Sequence, residues 1–431
     1  MPLETLSDAE RYLDGLINRE RKTQYDYESL GLAPIRALLA EIGNPERGLP
    51  CVHVAGSKGK GTTTLASECL LRAAGARVGT FTSPHLESWR ERFRIDGVPV
   101  AERELVAGLR EIQPAIERLR AEPARCPSFF DATTALALHL FRAARVEAGA
   151  IEVGLGGRLD STNSVEARVS VVTAIQLEHT DKLGKTLEAI AREKAGIFRP
   201  GAPALYGPMH PEAWGALAAQ AIAVETSLEE VRAHEVRSSA AGLHFRLDDG
   251  RAIASPVLGA HQATNLALAA RACEIFLGRA LAEAELAALE TLELPARLER
   301  IGDAILDDAH TPDSARALRE TLEALWPGTR WVFVLSVSRD KDVAGIVSEL
   351  ASVTRACVAT GAEATRSLDP DELAALAWSA GIEEVAVERA PTAALARARA
   401  LQQPGERLAV SGSIFLAGAL RRHLVAAARG V

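Results

Sequence analysis

The stretch CVHVAGSKGKGTTTLASECLLRAAG, residues 51–75, decides the fold of this protein. It opens with a short run of β-branched and apolar residues, passes through a glycine-rich turn and ends in a helical pattern. Glycines let backbone N–H groups curl around phosphate oxygens, and the N-terminus of the following helix adds positive potential. The stretch therefore predicts a phosphate-binding loop between a strand and a helix.

Two side chains of this loop carry the expected chemistry. Lys60 would reach the phosphate that is transferred, and the hydroxyl of Thr62 would bind Mg²⁺. The alternative is a structural turn whose lysine points into solvent, and the strand before and helix after the turn favour the phosphate loop. The predicted nucleotide-binding residues of the loop are Gly56, Ser57, Lys58, Gly59, Lys60, Gly61 and Thr62.

Outward from this loop, strand-like runs alternate with helical patterns. The runs are RVGTFT, GAIEVGL and RVSVVTAI before residue 180, and AILDDA, RWVFVLSV and ACVATG after residue 300. Apolar runs of strand length joined by helices are typical of a parallel, doubly wound α/β sheet. We expect a larger N-terminal α/β domain at 1–295 and a smaller α/β domain at 296–431, with a linker near Pro295.

Composition and charge argue against a nucleic-acid-binding, membrane-spanning or secreted protein. The 431 residues carry a formal charge of −8, and only 4% are aromatic. No clustered basic face suggests a grip on nucleic acid, and no apolar run is long enough to span a bilayer. The N-terminus lacks the pattern of a signal peptide, and the five cysteines form no CxxC pair. A soluble, cytoplasmic enzyme with small-molecule substrates is expected; the oligomeric state is not determined, with a monomer favoured.

Several motifs resemble one family along most of the chain. HVAGSKGKGTTT is similar to HVAGTNGKGS of the folylpolyglutamate synthase/dihydrofolate synthase family, within the Mur ligase group. Further matches, in the family's order, are FTSPHLESWRERFRIDG, IEVGLGGRLDSTNSV, LEHTDKLGKTLEAIAREKAGIFRPG, GAHQATNLALA, PARLER and VSGSIFLAGALR. The resemblance implies an ATP-dependent ligase. Its P-loop ATPase domain, at 1–295, would be joined to a Rossmann-like C-terminal domain, at 296–431, with the active site in the cleft between them.

The resemblance also implies two Mg²⁺ ions. Ser83 and Glu152 would bind one ion, and His179 would help to bind the second. A carboxylate that directly follows a buried strand, as Glu152 does, lies where open α/β sheets bind ligands. In the family the lysine matching Lys194 is carbamylated and its new carboxylate helps to position the metals. The local sequence alone predicts that Lys194 is a surface lysine on a helix, beside Glu193.

The resemblance also implies residues that contact ATP, the incoming amino acid and the acid. Asn265 and Arg297 would contact the adenine and phosphates of ATP, and Asp307 the ribose; His310 and the loop at Ser411 would face the incoming amino acid. The pterin side of the acid would lie near Ser128, Phe129, Phe130, Asp131, Leu159, Asp160 and Ser161. Phe129 and Phe130 could stack on a flat heterocycle, although a Phe pair that opens a helix more often belongs to the core.

Some positions depart from the family's pattern. Lys58 replaces Asn, Lys182 an aromatic residue, Asp131 the usual Glu, Asp308 Gly and Thr311 Asn. The segment DDAHTPD is closer to that of the muramyl-peptide synthetases. These departures leave open which acid and amine are joined, whether first or later glutamates are added, and whether the linkage is γ or α.

The predicted reaction joins a folate-type carboxylate, of dihydropteroate or tetrahydrofolate, to the amine of L-glutamate through an acyl phosphate. Lys60, Lys194, His179 and His310 are the predicted catalytic residues. The alternatives are a Mur-type ligase for a non-folate acid or a different amino acid, a P-loop kinase or simple NTPase, and a nucleotide-binding module without activity. The last would predict the loss of Lys60 or Glu152, and both are present.

Overall fold

Parallel strands form the centre of the N-terminal part of the chain, as the alternating pattern predicts. This computed structural model describes residues 3–19, 27, 30–363 and 365–429. The strands of the first sheet are β1 (Pro50–Ala55), β2 (Val78–Phe81), β3 (Phe93–Ile95), β4 (Val98–Pro99), β5 (Ala148–Glu152), β6 (Glu166–Val172), β7 (Ala204–Tyr206) and β8 (Leu228–Glu230). Their order in the sheet is β4-β3-β2-β5-β1-β6-β7-β8. All neighbours run parallel except at β3 and β4, which pair antiparallel at one edge.

Helices cover both faces of this sheet. They are α1 (Leu6–Asp14), α2 (Ala33–Glu41), α3 (Lys60–Ala73), α4 (Glu102–Arg120), α5 (Phe129–Ala143), α6 (Thr180–Leu183), α7 (Leu187–Ala195), α8 (Pro211–Ala223), α9 (Gln262–Leu277) and α10 (Glu283–Leu286). One apolar core joins the sheet to α1, α2, α4 and α5, and a second joins it to α7 and α8. The central β1 is buried almost throughout because it has a strand on each side and helices above and below. The predicted doubly wound architecture is confirmed.

A small sheet follows where the sequence pattern is irregular. It contains β9 (His234–Ser239), β10 (Gly242–Arg246) and β11 (Ala252–Ser255), in the order β11-β10-β9. The sequence analysis did not predict it, because its strands are short and β9 is almost wholly exposed, whereas β10 and β11 are partly buried. Without a buried face on β9, no clear apolar alternation marks it as a strand.

A second α/β sheet forms the C-terminal part. Its strands are β12 (Glu299–Ile301), β13 (Ala304–Leu306), β14 (Trp331–Leu335), β15 (Thr354–Ala359), β16 (Glu384–Val387) and β17 (Arg407–Ser411), in the order β12-β13-β17-β14-β15-β16. All pairs are parallel except β12 with β13. The helices are α11 (Pro312–Leu325), α12 (Val343–Ala351), α13 (Pro370–Ser379), α14 (Pro391–Leu401) and α15 (Ile414–Ala428). Both predicted α/β domains are therefore present.

Two compact units divide the chain. The first comprises Met1–Glu235, Phe245–Ala254 and His261–Leu292, and the second Val236–His244, Ser255–Ala260 and Glu293–Val431. The domain limits 1–295 and 296–431 stay a prediction; short segments before residue 261 group with the second unit. Among the described residues, no helix has both the length and the apolarity that crossing a membrane requires.

Candidate active site

The carboxyl ends of four neighbouring parallel strands meet at one edge of the first sheet. Gly56 follows β1, Ser83 follows β2, Glu152 ends β5 and Glu178 comes after β6. In open α/β sheets this edge is where ligands bind. The sequence analysis selected three of these four residues, Gly56, Ser83 and Glu152, as site residues, so the fold brings the predicted phosphate loop and metal ligands to the same edge.

Glycines in the phosphate loop are required by close contacts. A Cβ atom at Gly56, whose φ is 149°, would lie 1.7 Å from Oγ1 of Thr173. At Gly59, whose φ is 91°, it would lie 2.3 Å from Oδ1 of Asn265. The left-handed backbone and the lack of space both exclude a side chain. Asn265 thus packs against the loop, which agrees with its predicted place near the nucleotide.

The loop is also bonded to the segment that follows β6. The N–H of Ser57 donates to the carbonyl of Ala174 at 2.8 Å, and its hydroxyl donates to the carbonyl of Gln176 at 3.1 Å. In the other direction, the Thr173 hydroxyl donates to the carbonyl of Lys58 at 2.7 Å. These bonds fix the backbone of the loop through contacts within the protein.

Lys60 and Thr62 lie in the first turn of α3, which has no side-chain cap. Nζ of Lys60 donates to the carbonyls of Gly56 at 2.9 Å and Ser57 at 3.3 Å, so the amine curls over the loop. Thr62 is buried, and within the described part of the chain its hydroxyl oxygen has no hydrogen-bond partner. A buried polar atom without a partner is costly, and a bound ion or phosphate at this helix end would satisfy it.

Ser83 and Glu152 are brought together as predicted. The N–H of Ser83 donates to Oε2 of the buried Glu152 at 3.2 Å, across the adjacent ends of β2 and β5. Hydroxyl and carboxylate oxygens are the ligands that Mg²⁺ prefers. No group of three His, Cys, Asp or Glu side chains suited to a metal occurs among the described residues. The oxygens of Thr62, Ser83 and Glu152 fit Mg²⁺ instead, because this ion keeps several waters and needs few protein ligands.

Lys194 is not on the surface, and the expectation drawn from its helix alone was wrong. Its side chain is 2% exposed. Nζ donates to the carbonyl of Gly56 at 2.9 Å and to Oε1 of Glu178 at 3.2 Å. Burial, against the attraction of Glu178, lowers the pKa of Lys194 to about 8, and the nearby Lys60 adds to this effect. Lys194 therefore extends from α7 to the backbone of the phosphate loop.

Glu178 is a site residue that the sequence analysis missed. Its carboxylate lies between Lys194 and Lys58, with Oε2 4.0 Å from Nζ of Lys58. Although burial opposes it, the positive charges of Lys194, Lys60 and Lys58 lower the pKa of Glu178 to about 2. One signal was available, since an acid after a predicted parallel strand lies at the ligand-binding edge. The neighbouring His179 is exposed and directly precedes α6, at its N-cap, with a left-handed backbone, φ 48°.

The predicted acid-binding residues form a buried hydrogen-bond network at the start of α5. Asp131 accepts from the N–H of Ser128 at 2.8 Å, from its hydroxyl at 2.6 Å, and from the hydroxyl of Ser161 at 2.7 Å. Burial raises the pKa of Asp131 in spite of these bonds. Asp160 accepts from the N–H of Leu155 at 2.9 Å, and burial raises the pKa of Asp160 to about 6.

The two phenylalanines at this helix start differ in position. Phe129 is buried in the core, with the guanidinium of Arg92 5.4 Å from its ring centre. Phe130 is partly buried and packs 5.8 Å from the ring of Phe81. Leu159 is also partly buried, against the core beneath α7 and α8. The structure thus gives Phe129 a packing role, and its contact with a heterocycle stays a prediction.

In the second unit, the remaining predicted residues lie around the carboxyl ends of β13 and β17. Asp307 follows β13 and accepts from the N–H groups of Leu298 at 2.8 Å and Ala309 at 2.9 Å. Burial and the neighbouring Asp308 raise the pKa of Asp307 to about 7. Ser411 ends β17, and in the described residues its buried hydroxyl has no hydrogen-bond partner.

Positions near this edge include two departures from the family's pattern. His310 Nδ1 lies 2.7 Å from the carbonyl oxygen of Asp308. Thr311 caps α11, where its hydroxyl accepts from the N–H of Ser314 at 3.3 Å. Arg297 donates to the carbonyl of Pro295 at 3.3 Å. Another departure, Lys182, lies in α6 of the first unit.

Comparisons with known proteins agree with this geometry. The sequence matches the Mur ligase middle domain over residues 128–273 and the Mur ligase, glutamate ligase domain over residues 296–414. The chain is 35% identical to the dihydrofolate synthase/folylpolyglutamate synthase of Mycobacterium tuberculosis, over 80% of this chain and 76% of that protein. It is 29% identical to the Bacillus subtilis protein of the same name, over 91% of this chain and 95% of that one.

Solved structures extend the similarity to nearly the whole chain. The M. tuberculosis folylpolyglutamate synthase complexed with ADP and AMPPCP gives a TM-score of 0.89 at 32% identity, and covers 97% of this chain and 98% of that one. Escherichia coli FolC in complex with DHPP and ADP gives 0.84 at 30% identity, covering 99% of both chains. On sequence, fold and the motifs at the strand ends, this chain belongs to the folylpolyglutamate synthase/dihydrofolate synthase family of Mur ligases.

Proposed function

We propose that this protein is an ATP-dependent ligase that forms an amide between a folate-type carboxylate and the amine of L-glutamate. The γ-phosphoryl group of ATP passes to the substrate carboxylate, which gives an acyl phosphate and ADP. The glutamate amine attacks the acyl carbon, and the tetrahedral intermediate loses inorganic phosphate and a proton to leave the amide. The family membership favours this acid and amine over the alternative of a non-folate acid.

One observation carries the proposal. A phosphate loop, a carboxylate that accepts from the N–H of Ser83 and a buried lysine converge at the carboxyl edge of one sheet, through Lys60, Glu152 and Lys194. A simple kinase or NTPase needs the loop and a metal ligand, but not a buried lysine bonded to the loop backbone. The convergence, in a chain of this family, supports the ligase reaction.

Lys60 and the oxygen ligands would stabilise the charge of the phosphoryl transfer. Nζ of Lys60 donates to two loop carbonyls, and a phosphate oxygen would replace these neutral acceptors with a charged one. Thr62, Ser83 and Glu152 would hold one Mg²⁺ and His179 would help to hold a second. Bound there, Mg²⁺ neutralises phosphate oxygens.

Carbamylation of Lys194 is part of the proposal. The neutral amine attacks CO₂, a new N–C bond forms, and a proton leaves, so the side chain becomes an anion. The lowered pKa of Lys194 supplies the neutral amine that this step needs. The anion would repel Glu178, which could then keep Lys58 as its charged partner, 4.0 Å away.

The two units would contribute contacts to different substrates. In the first unit, the network of Ser128, Asp131 and Ser161 would lie near the pterin side of the acid. In the second unit, Arg297 and Asp307 would contact ATP, and His310 and Ser411 would face glutamate. The unpartnered hydroxyl of Ser411 supports a polar ligand at that strand end.

A matrix of acids and amino acids would test the proposed function. ADP release should require both a folate-type acid and L-glutamate, with dihydropteroate and tetrahydrofolate as the separate acids. Mass spectrometry of the products would show one added glutamate or several. ADP release without any amino acid would contradict the proposal, as would activity confined to non-folate acids.

A further inference from the structure

Two residues with left-handed backbones flank Arg297 in the second unit. Ala296 has a φ of 54° and Leu298 a φ of 52°. Neither is glycine, so both conformations are costly, and such strain persists only where the surrounding structure holds it. Both side chains are buried: Ala296 is 2% and Leu298 4% exposed. Arg297, between them, is partly exposed. We call residues 296–298 the left-handed turn.

Two carboxylates hold the left-handed turn, one on each side of Arg297. The N–H of Ala296 donates to Oε2 of Glu299 at 3.0 Å. The N–H of Leu298 donates to Oδ2 of Asp307 at 2.8 Å. Hydrogen bonds to a charged acceptor are stronger than those between neutral groups, so the two carboxylates fix the backbone in a conformation that it would otherwise leave.

Glu299 is itself fixed by Arg421 of α15. Nε of Arg421 donates to Oε1 of Glu299 at 3.0 Å and to Oε2 at 2.9 Å, and Nη2 donates to Oε1 at 2.8 Å. Glu299 is 16% and Arg421 21% exposed, so water competes little for these bonds. A guanidinium and a carboxylate paired in this way favour one planar geometry. Arg421 therefore orients Glu299, and Glu299 orients the backbone that carries Arg297.

A similar ion pair elsewhere in the second unit shows that this arrangement does not require strain. Glu406 accepts from the N–H of Gln403, three residues before it, at 2.9 Å, and it pairs with Arg355 through both of its oxygens. The left-handed residue of that turn is Gly405, φ 87°, and glycine adopts this conformation without cost. Strain at two non-glycine residues around Arg297 therefore needs a separate reason.

We propose that Glu299 and Arg421 are positioning residues for Arg297, because they hold the left-handed turn in the conformation that directs this arginine to the phosphates of ATP. The inference rests on the proposed function, which gives Arg297 a contact with ATP. Neither Glu299 nor Arg421 needs to touch the nucleotide. Without Glu299, the guanidinium of Arg297 stays chemically intact, but the backbone that carries it can leave the left-handed region.

Calorimetry on the full chain, with Mg²⁺ and the ATP analogue AMPPCP, measures the effect without any ligation. Arg297→Ala should weaken AMPPCP binding by about tenfold, because one hydrogen bond to a charged phosphate is lost. Glu299→Gln should weaken it by about fivefold, the effect expected if the turn keeps its conformation in about one molecule in five. The double variant should bind no more weakly than Arg297→Ala alone, because Glu299 acts through Arg297.

Glu406→Gln provides the matched control, because it removes the same type of ion pair in the same unit. Both Gln variants should lower the midpoint of thermal unfolding, since each leaves an arginine without its charged partner. Glu406→Gln should nevertheless bind AMPPCP as the unmodified protein does. Arg421→Gln should weaken binding as Glu299→Gln does, and it replaces Glu299→Gln in the test if that variant does not fold.

Three results would overturn the proposal. They are unchanged AMPPCP binding by folded Glu299→Gln, equal weakening by Glu299→Gln and Glu406→Gln, and a loss in the double variant equal to the product of the two single losses. Unchanged binding by Arg297→Ala would also overturn it, together with the contact between Arg297 and ATP. Absence of ligation in the screen of acids and amino acids would leave these binding results unaffected, so failure of the ligase function is distinguishable.

Discussion

Removal of CO₂ and replacement of Lys194 should both stop the reaction, if this lysine acts as a carbamate. At pH 7 an amine with the usual pKa of 10.5 is neutral in roughly one molecule in 3,000. With a pKa of about 8, Lys194 is neutral in about one molecule in ten, which is roughly 300 times more. Only the neutral form attacks CO₂, so burial makes this lysine far more reactive than a surface lysine.

The sign of the pH dependence follows from the same value. As pH rises from 7 to 8, the neutral fraction of Lys194 should rise from about one tenth to one half. At equal concentrations of dissolved CO₂, activation should therefore begin faster at pH 8 than at pH 7. A lysine of ordinary pKa would give much slower activation at both values.

ADP release in CO₂-depleted buffer, before and after addition of bicarbonate, measures the effect. Lys194→Arg should release ADP about 100-fold or more slowly, both before and after bicarbonate is added. The guanidinium is a cation where the carbamate would be an anion that positions the metals. Protein incubated with ¹³C-bicarbonate should show a carbamate resonance that Lys194→Arg lacks. For Lys194→Ala, added acetate or formate should restore part of the activity by supplying the missing carboxylate.

Lys185→Arg provides the matched control, because Lys185 is an exposed lysine just before α7. It should behave as the unmodified protein does in every assay, since exposed substitutions usually change stability by less than about 0.5 kcal/mol. A fully active Lys194→Arg enzyme would refute the carbamate. So would full activity of the unmodified protein after exhaustive removal of CO₂ together with no ¹³C signal.

Three further substitutions test the phosphate loop and the metal ligands. Lys60→Ala should lower kcat by orders of magnitude in a folded protein, because the charge on the transferred phosphate loses its partner; near-normal turnover would make the loop structural. Glu152→Gln should raise the Mg²⁺ concentration needed for half-maximal ADP release, and an unchanged requirement would remove Glu152 from the metal site. Gly59→Ala should weaken ADP binding measured by calorimetry, since its Cβ would lie 2.3 Å from Asn265, whereas Gly75→Ala, at the same φ of 91° but in open space, controls for backbone strain.

The sequence predicted well those features that depend on local pattern. The strand, turn and helix at 50–73 follow from apolar periodicity and glycine placement, and the structure has them at β1 and α3. Ser83 and Glu152 were selected from separate motifs, and strand order places them within a hydrogen bond. Parallel neighbours share their carboxyl edge, so topology adds what local pattern lacks.

Burial by distant parts of the chain could not be predicted in the same way. The segment REKAGI shows a short helical pattern, and nothing in it reveals that Lys194 ends beneath Gly56, 138 residues away. The pairing of Glu178 with two lysines from different elements was hidden for the same reason. Charged side chains can be placed only when the elements that cover them are known.

The bonds between the phosphate loop and the segment after β6 have a consequence for protein engineering. Ser57 is hydrogen-bonded to Ala174 and Gln176. Thr173 lies so close to Gly56 that any side chain at position 56 would collide with it. Ser57 and Gln176 are 119 residues apart in the sequence, yet the conformation of each segment depends on its contacts with the other. A chimera that takes the loop from one homologue and the β6 segment from another would join surfaces shaped for different partners. Grafts of nucleotide specificity onto this scaffold should therefore transfer 56–62 and 173–178 as a single cassette.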